Sequence, residues 1–375
     1  MDAKIKILIT GADGFIGKNL AEHLNANESY EVLSFDKGCD ESLLDRYCAE
    51  CSFVFHLAGI NRPQNPSEFK EGNFEFTMTL LEKLATAHNS PPVLMSSSVQ
   101  AELDNDYGKS KRAGEDALRE YATNSGAQTF IFRLPNVFGK WCRPHYNSAV
   151  ATFCYQIARG APIQINNRET ELMLVYIDDV VDVFINAMSG TVLIENGFAK
   201  VSPEYKIKLG KIADLLYDFS DSRVSLMCPP QVPGSFEKKL YSTYLSYLPV
   251  DGFKYALKMN ADERGSFTEF LRTDGYGQIS VNVAKPGITK GNHWHHSKNE
   301  KFLVVNGTGV IRFKKVDEPD IIEYYVSGQK FEVVDIPCGY THSIENLGES
   351  DLVTVMWASE PFDPQKPDTV FLKVL

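Results

Sequence analysis

Apolar positions along this chain follow two rhythms, and the change from one to the other divides it. Lys4 to Thr10 alternates and then runs apolar, as a strand buried on both faces of a parallel sheet does. A glycine turn follows, and then Ile16, Leu20 and Leu24 recur at helical spacing. Glu31 to Phe35, Ser52 to Leu57 and Val93 to Met95 are further apolar runs of strand length. Strands alternating with helices predict an α/β fold built on a doubly wound parallel sheet. From Gly139 to about Leu248 the pattern is broken by Pro144, Pro162, Pro203, Pro229, Pro230 and Pro233. Helical periodicity survives there at Ser148 to Arg159 and Leu209 to Phe219, and a substrate-binding lobe belongs in this region. After Tyr244 to Phe253 short alternating strands take over: 267–271, 278–283, 302–305, 310–313 and 352–357. That spacing, without helices, predicts an all-β barrel or sandwich. The expected domains are therefore 1–248 and 253–375.

Composition narrows the partners. The 375 residues carry a net charge of −11 and no basic run, which excludes nucleic acid and an anionic membrane as expected partners. No apolar run approaches the roughly 18 residues that span a bilayer. The start of the chain is a strand entering a glycine loop rather than a secretion signal, and the seven cysteines are an odd, scattered set. Reduced thiols and a cytoplasmic location follow as the expectation. Cys48 and Cys51 form a C-x-x-C with no second pair, on the helix between two strands, and are expected to pack rather than to ligate.

The first domain carries a hydride-transfer pattern. Gly11, Gly14 and Gly17 in TGADGFIG stand between a strand and a helix. Glycines there let backbone approach a pyrophosphate, and the free N–H groups at the helix start bind its charge. Asp36, at the end of the second strand, is placed to bond the adenosine ribose and so favours NADH, while Lys37 beside it would meet a 2′-phosphate. Ser96, Ser97 and Ser98 end a strand, and Tyr107 and Lys111 follow at i and i+4 on one helix face. A phenol of ordinary pKa about 10 needs a nearby cation to exchange its proton near neutrality. A serine hydroxyl can share a substrate carbonyl as second donor.

TGADGFIG, HLAG at 56–59, the serine run and YGKSK occur in the order of the extended short-chain dehydrogenase/reductases, a Rossmann-type family that this region resembles. The resemblance implies Tyr107 as proton donor, Lys111 as its activator and a ribose contact, and Ser98 as the carbonyl-polarising hydroxyl, with Ser97 the alternative. It implies a dinucleotide site at Gly11, Gly14, Phe15, Ile16, Gly17, Leu57 and Ala58, with substrate contacts at Asn73 and Asn136. YIDDVVDVFINAM at 176–188 also matches the family. The stretch before HLAG is short, so the third strand is hard to place and Asp40 is a weak adenine contact. Arg168 is a candidate diphosphate clamp because guanidinium matches phosphate oxygens.

The second domain carries a metal pattern. His293 and His295 are two apart and share a strand face; Glu300 follows, and Pro337, Gly339, His342 and Asn346 form a second half. Imidazole with carboxylate is a ligand set for zinc or another divalent transition metal. The two half-motifs resemble the cupin signature, a jelly-roll barrel, with His293, His295, Glu300 and His342 as implied ligands. The second half departs from the pattern by a longer spacing between Gly328 and Pro337. ADERGSFTEF at 261–270 is similar to the opening of the deoxysugar 3,5-epimerases, also jelly rolls. A metal that stabilises an enolate still needs a base, and Lys301, Tyr340 and His296 are its nearest candidates. With GINRP at 59–63, FGKWCRPHYNS at 138–148 and KGNHWHHSKNEKFLVV at 290–305, the chain resembles end to end the bifunctional epimerase/reductases of UDP-N-acetyl-L-fucosamine biosynthesis for bacterial surface polysaccharide. That implies a UDP-linked 4-keto-6-deoxy-N-acetylhexosamine as substrate, epimerised at C-3 in the cupin domain and reduced at C-4 with NADPH in the first. Asp36 keeps NADH open. Cupins often pair through their sheets, so a homodimer is expected by analogy.

Overall fold

The computed structural model describes residues 4–375 other than positions 64, 66, 276, 364 and 366. The chain forms two compact units, 1–217 with 231–249, and 218–230 with 250–375. Among the described residues no helix is long and apolar enough to cross a membrane.

The first unit is built on β1 (Ile5–Thr10), β2 (Tyr30–Phe35), β3 (Phe53–His56), β4 (Val93–Ser98) and β5 (Thr129–Leu134). They pair in parallel in the order β2-β1-β3-β4-β5, and a short hairpin at 194–199 extends the sheet beyond β5. Helices cover both faces, so two clusters form the core: Ile7, Ile9 and Phe55 face one side, Leu8 and Val54 the other. This explains the continuous apolar runs in the sequence. Between β2 and β3 the chain makes the helix Glu41–Glu50, and among the described residues no further strand lies outside β2, which is the edge of the sheet. Chain order reverses at β1, whose neighbours are β2 and β3, and the crevice outside the carboxyl ends of such strands is where ligands bind in open α/β sheets.

The second unit has a six-stranded and a five-stranded sheet, every pair antiparallel. Phe302, Val304 and Leu352 from the first sheet and Ile311, Phe313 and Ile344 from the second share one buried core. The two sheets therefore enclose a common interior, as a jelly roll does. Strand Thr289–Trp294 carries a bulge between Gly291 and His293, with Asn292 at φ +59° as the extra residue. Lys290 opposes Ile344 and His293 opposes His342 across the ladder, so the bulge resets the alternation and aims both residues inward. Cys48 and Cys51 are buried thiols pushed up to about 12 by burial, consistent with packing.

Candidate active site and metal centre

At the carboxyl ends of the parallel strands lies a cavity of about 510 Å³. Its floor is the glycine loop. Gly11 sits at φ +72°, and a Cβ there would lie 2.7 Å from the Ala58 nitrogen, so only glycine fits. A Cβ on Gly17 would come within 2.1 Å of the Gly11 carbonyl oxygen. Helix Phe15–Asn25 then begins at Gly14 without a side-chain cap, so its first N–H groups are presented to the cavity. Asp36 closes the loop from the side: its carboxylate accepts from Asp13 N at 2.7 Å and Lys37 N at 2.8 Å.

The opposite wall is the helix Asp106–Ser125, started by Asn105, which accepts from Gly108 N at 2.7 Å. Tyr107 and Lys111 project from its first turns into the cavity. The Tyr107 hydroxyl donates to Asn61 Oδ1 at 2.9 Å, and burial raises its pKa while the Ser98 hydroxyl beside it works the other way. Lys111 is 5% exposed and donates to the Ser96 carbonyl at 3.4 Å. Burial pushes its ammonium down to about 8, against the pull of Glu115. At neutral pH the pair is thus a protonated phenol and a charged lysine, the states required to deliver a proton to a developing alkoxide. Ser97 donates to buried Glu115 at 2.5 Å, and Arg133 holds the same carboxylate at 2.9 and 2.7 Å. Its proton is committed to the core, which leaves Ser98 as the serine beside Tyr107.

In the second unit one ligand atom from each of His293, His295, Glu300 and His342 lies within 4.8 Å of the others. Glu300 comes from the six-stranded sheet and His293 and His342 from the five-stranded one, so the cluster bridges the two. His295 and His342 are each 1% exposed. His295 Nε2 and His342 Nε2 each lie 3.4 Å from Glu300 Oε2, long contacts that leave all three buried atoms without a well-formed hydrogen bond among the described residues. Leaving such groups unsatisfied costs about 1–3 kcal/mol apiece, and one divalent cation among them would satisfy all three. His295 Nδ1 donates to the Asp368 carbonyl, which turns the Nε2 lone pair into the cluster. Burial and His342 push His293 down to about 4, so it is a neutral imidazole at neutral pH. Burial opposes ionisation of Glu300, yet the His295 and His342 imidazoles hold its carboxyl well below the usual range. These residues fit a divalent transition metal.

Residues 7–196 match the model of the NAD dependent epimerase/dehydratase family. The chain belongs to that family. Residues 260–370 match a second model, the Polysaccharide biosynthesis C-terminal domain, so this epimerase/dehydratase member carries an added β domain. It is 47% identical to a UDP-2-acetamido-2,6-beta-L-arabino-hexul-4-ose reductase of Pseudomonas aeruginosa, covering 97% of this chain and 98% of that one. The crystal structure of the capsular polysaccharide assembling protein CapF from Staphylococcus aureus superposes with a TM-score of 0.93 at 54% identity, covering 98% and 100%. A stretch covering 32% of this chain is 27% identical to the spore coat polysaccharide biosynthesis protein SpsL of Bacillus subtilis, of which it covers 86%.

Within this family member several expected contacts stand elsewhere. Asn73 is not in the cavity: it is 1% exposed in a π-helical turn, bonding Ile60 N at 2.8 Å, Ile60 O at 3.0 Å and Ser110 at 3.1 Å. It ties down the loop that carries Asn61 through both backbone groups of Ile60. Arg168 is also outside the cavity lining, tied to Asp214 at 2.6 Å and the Gly210 carbonyl at 3.3 Å. Asp40 caps helix Glu41–Glu50 by accepting from Ser42 N, so its carboxylate is already used. Asn136 does line the cavity, as do Phe15, Ile16 and Leu57, while Ala58 lies behind the lining with its N–H on Thr10. Lys37 is exposed, and neither it nor Asp36 belongs to the lining.

The cavity's own arginine is Arg143, which with Tyr146 and Asn147 comes from the segment after Asn136. A cation, an aromatic and an amide within five residues of a proline-broken loop were the signal for it. Asn61, the partner of Tyr107, was visible as part of a turn and of the GINRP motif, with no role attached. Of the three candidate bases, Lys301 pairs with exposed Asp335, and His296 is exposed with its ring 4.3 Å from Trp294. Tyr340 alone packs against the barrel interior, two residues before His342.

Proposed function

We propose that this chain is a nucleotide-sugar ketoreductase with a second, metal-dependent epimerase activity in its β domain. The observation that carries the reading is the convergence of the glycine loop, Ser98, Tyr107 and Lys111 on one cavity. Its proposed substrate is a UDP-linked 4-keto-6-deoxy-N-acetylhexosamine, epimerised at C-3 and reduced at C-4 to the 6-deoxy-L-talose-type sugar for capsule or O-antigen. The near full-length likeness to the Pseudomonas reductase and to CapF supports that choice.

A reduced nicotinamide dinucleotide, when bound along Gly11, Gly14 and Gly17, supplies the hydride. Tyr107 delivers the proton to the C-4 oxygen, Ser98 donates to the same oxygen, and Lys111 keeps positive charge beside them. Arg143 is the guanidinium available for the diphosphate. Sequence resemblance implies NADPH, whereas the Asp36 carboxylate favours the unphosphorylated ribose of NADH. In the β domain a divalent cation held by His293, His295, Glu300 and His342 supplies Lewis acidity. A proton α to a ketone becomes removable when the developing oxyanion is stabilised, and Tyr340 is the candidate for carrying that proton.

Nuclear magnetic resonance of the keto sugar in deuterated water tests both halves. Deuterium is expected at C-3 before any reductant is added, and the ketone signal is lost when NADH or NADPH follows. Tyr107→Phe should slow reduction by about 10²–10⁴-fold and leave exchange intact. His293→Ala should do the reverse. An unlabelled C-3 in the wild type would leave a single-activity ketoreductase.

A further inference from the structure

The carboxy-terminal segment returns along the strand that bears His293 and ends one residue before His295. Val370 pairs with Trp294 and Phe371 with His293. Leu372 N donates to the Asn292 carbonyl at 3.0 Å, and Val374 N to the Asn292 side chain at 3.2 Å. The bulge that aims His293 inward is therefore held from both sides, by the strand Tyr340–Asn346 and by this segment.

Asp368 stands at the head of the segment. Its carboxylate accepts from three successive backbone N–H groups, His296 at 2.9 Å, Ser297 at 2.8 Å and Lys298 at 2.8 Å, and from the Ser297 hydroxyl at 3.2 Å. Its main-chain carbonyl accepts from His295 Nδ1. The three amides belong to the turn that leads from His295 to Glu300, and so from one sheet to the other. A turn with three adjacent N–H groups pointing one way needs a multivalent acceptor; a carboxylate supplies it with charge-assisted bonds.

We propose that Asp368 is the positioning residue of the metal centre, acting on two ligands at once. Its carbonyl selects the His295 tautomer whose Nε2 is free to ligate. Its carboxylate fixes the 296–298 turn, and the turn fixes the separation of His295 from Glu300. Asp368 itself lies outside the ligand cluster, so it acts through its neighbours and not by binding the ion. The inference rests on reading the four-residue cluster as a metal centre.

The test uses full-length protein, with zinc titrated against a chromophoric chelator and the visible spectrum of the cobalt-loaded form recorded. Asp368→Asn retains the main-chain carbonyl but replaces one acceptor oxygen by an NH₂ group facing the turn's N–H groups. The zinc dissociation constant should rise about 10–100-fold and the cobalt bands should shift. Asp368→Glu, which restores the carboxylate, should recover part of the loss. Zinc affinity and cobalt bands unchanged from wild type would overturn the proposal, as would a lower metal-free melting temperature with no change in affinity, since that is a purely structural role. Should Asp368→Asn not fold, Ser297→Ala deletes one of the four bonds to the carboxylate; weakened zinc binding supports the proposal and unchanged binding overturns it. A wild-type protein that binds no zinc or cobalt would instead remove the metal-centre reading itself.

Discussion

Lys111 is held almost without solvent, its nitrogen on the Ser96 carbonyl and its pKa brought from 10.5 down to about 8 by burial. The folded chain therefore binds fewer protons than the unfolded one between pH 8 and 10.5, and this group makes stability rise with pH through that window. Activity should move the opposite way. The kcat/KM for reduction reports the free enzyme, so it should be level near neutrality and fall about tenfold per pH unit above about 8, as the ammonium beside Tyr107 is lost. A profile still level at pH 10 would separate Lys111 from the chemistry. Tyr107 and Lys111 were legible because a spacing of four on a helix is local geometry. Asn73 and Arg168 were not, because each is decided by a partner distant in sequence: Ser110 and Ile60 for one, Asp214 for the other. Choosing Ser98 over Ser97 also required Glu115 and Arg133, which approach the strand end only in the folded chain.

At the scale of elements, the glycine loop and its helix are one device. Gly17 lies inside the helix, where alanine is otherwise favoured, yet a Cβ there would meet the Gly11 oxygen at 2.1 Å and the Ala12 Cα at 2.8 Å, both backbone atoms. Gly17→Ala must push the helix start away from the loop that it serves. We expect a loss of about 1–3 kcal/mol in stability by chemical denaturation. Dinucleotide fluorescence titration should show at least about tenfold weaker binding, since the helix N–H groups no longer face the phosphates. Tight binding in the alanine variant would mean that the dinucleotide lies elsewhere. The apolar spacing of the strand and helix, with Gly11, Gly14 and Gly17 between them, made this element readable from the sequence. The bulge at Asn292 was not readable, because H-x-H alternation looks the same with or without an extra residue before it. The short stretch before HLAG foreshadowed a sheet that, among the described residues, ends at β2, though only the sheet order shows that edge.

The two compact units each have their own core and their own candidate site, which sets an expectation for the whole molecule. The chain crosses between them more than once. The last crossing, near residue 250, is marked by the change to alternating strands, while the excursion at 218–230 continues the helix Leu209–Ser225 and carries no mark. There Arg272 N donates to the Leu226 carbonyl and Cys228 N to the Arg272 carbonyl, both at 2.7 Å. Cutting the chain near 250 would thus remove the partner of residues 226–228, so metal removal is the cleaner way to silence one unit. A cation that binds the folded cluster stabilises its unit by mass action, about 2.7 kcal/mol at a hundredfold excess over its dissociation constant. Chelation should therefore lower a calorimetric transition belonging to the β domain and abolish C-3 exchange. A second transition, raised by added dinucleotide, should be unmoved by chelation, and reduction of an already epimerised substrate should continue. One transition responding equally to chelator and dinucleotide would show that the units melt together, and reductase activity lost with the metal would show that the two sites do not work independently.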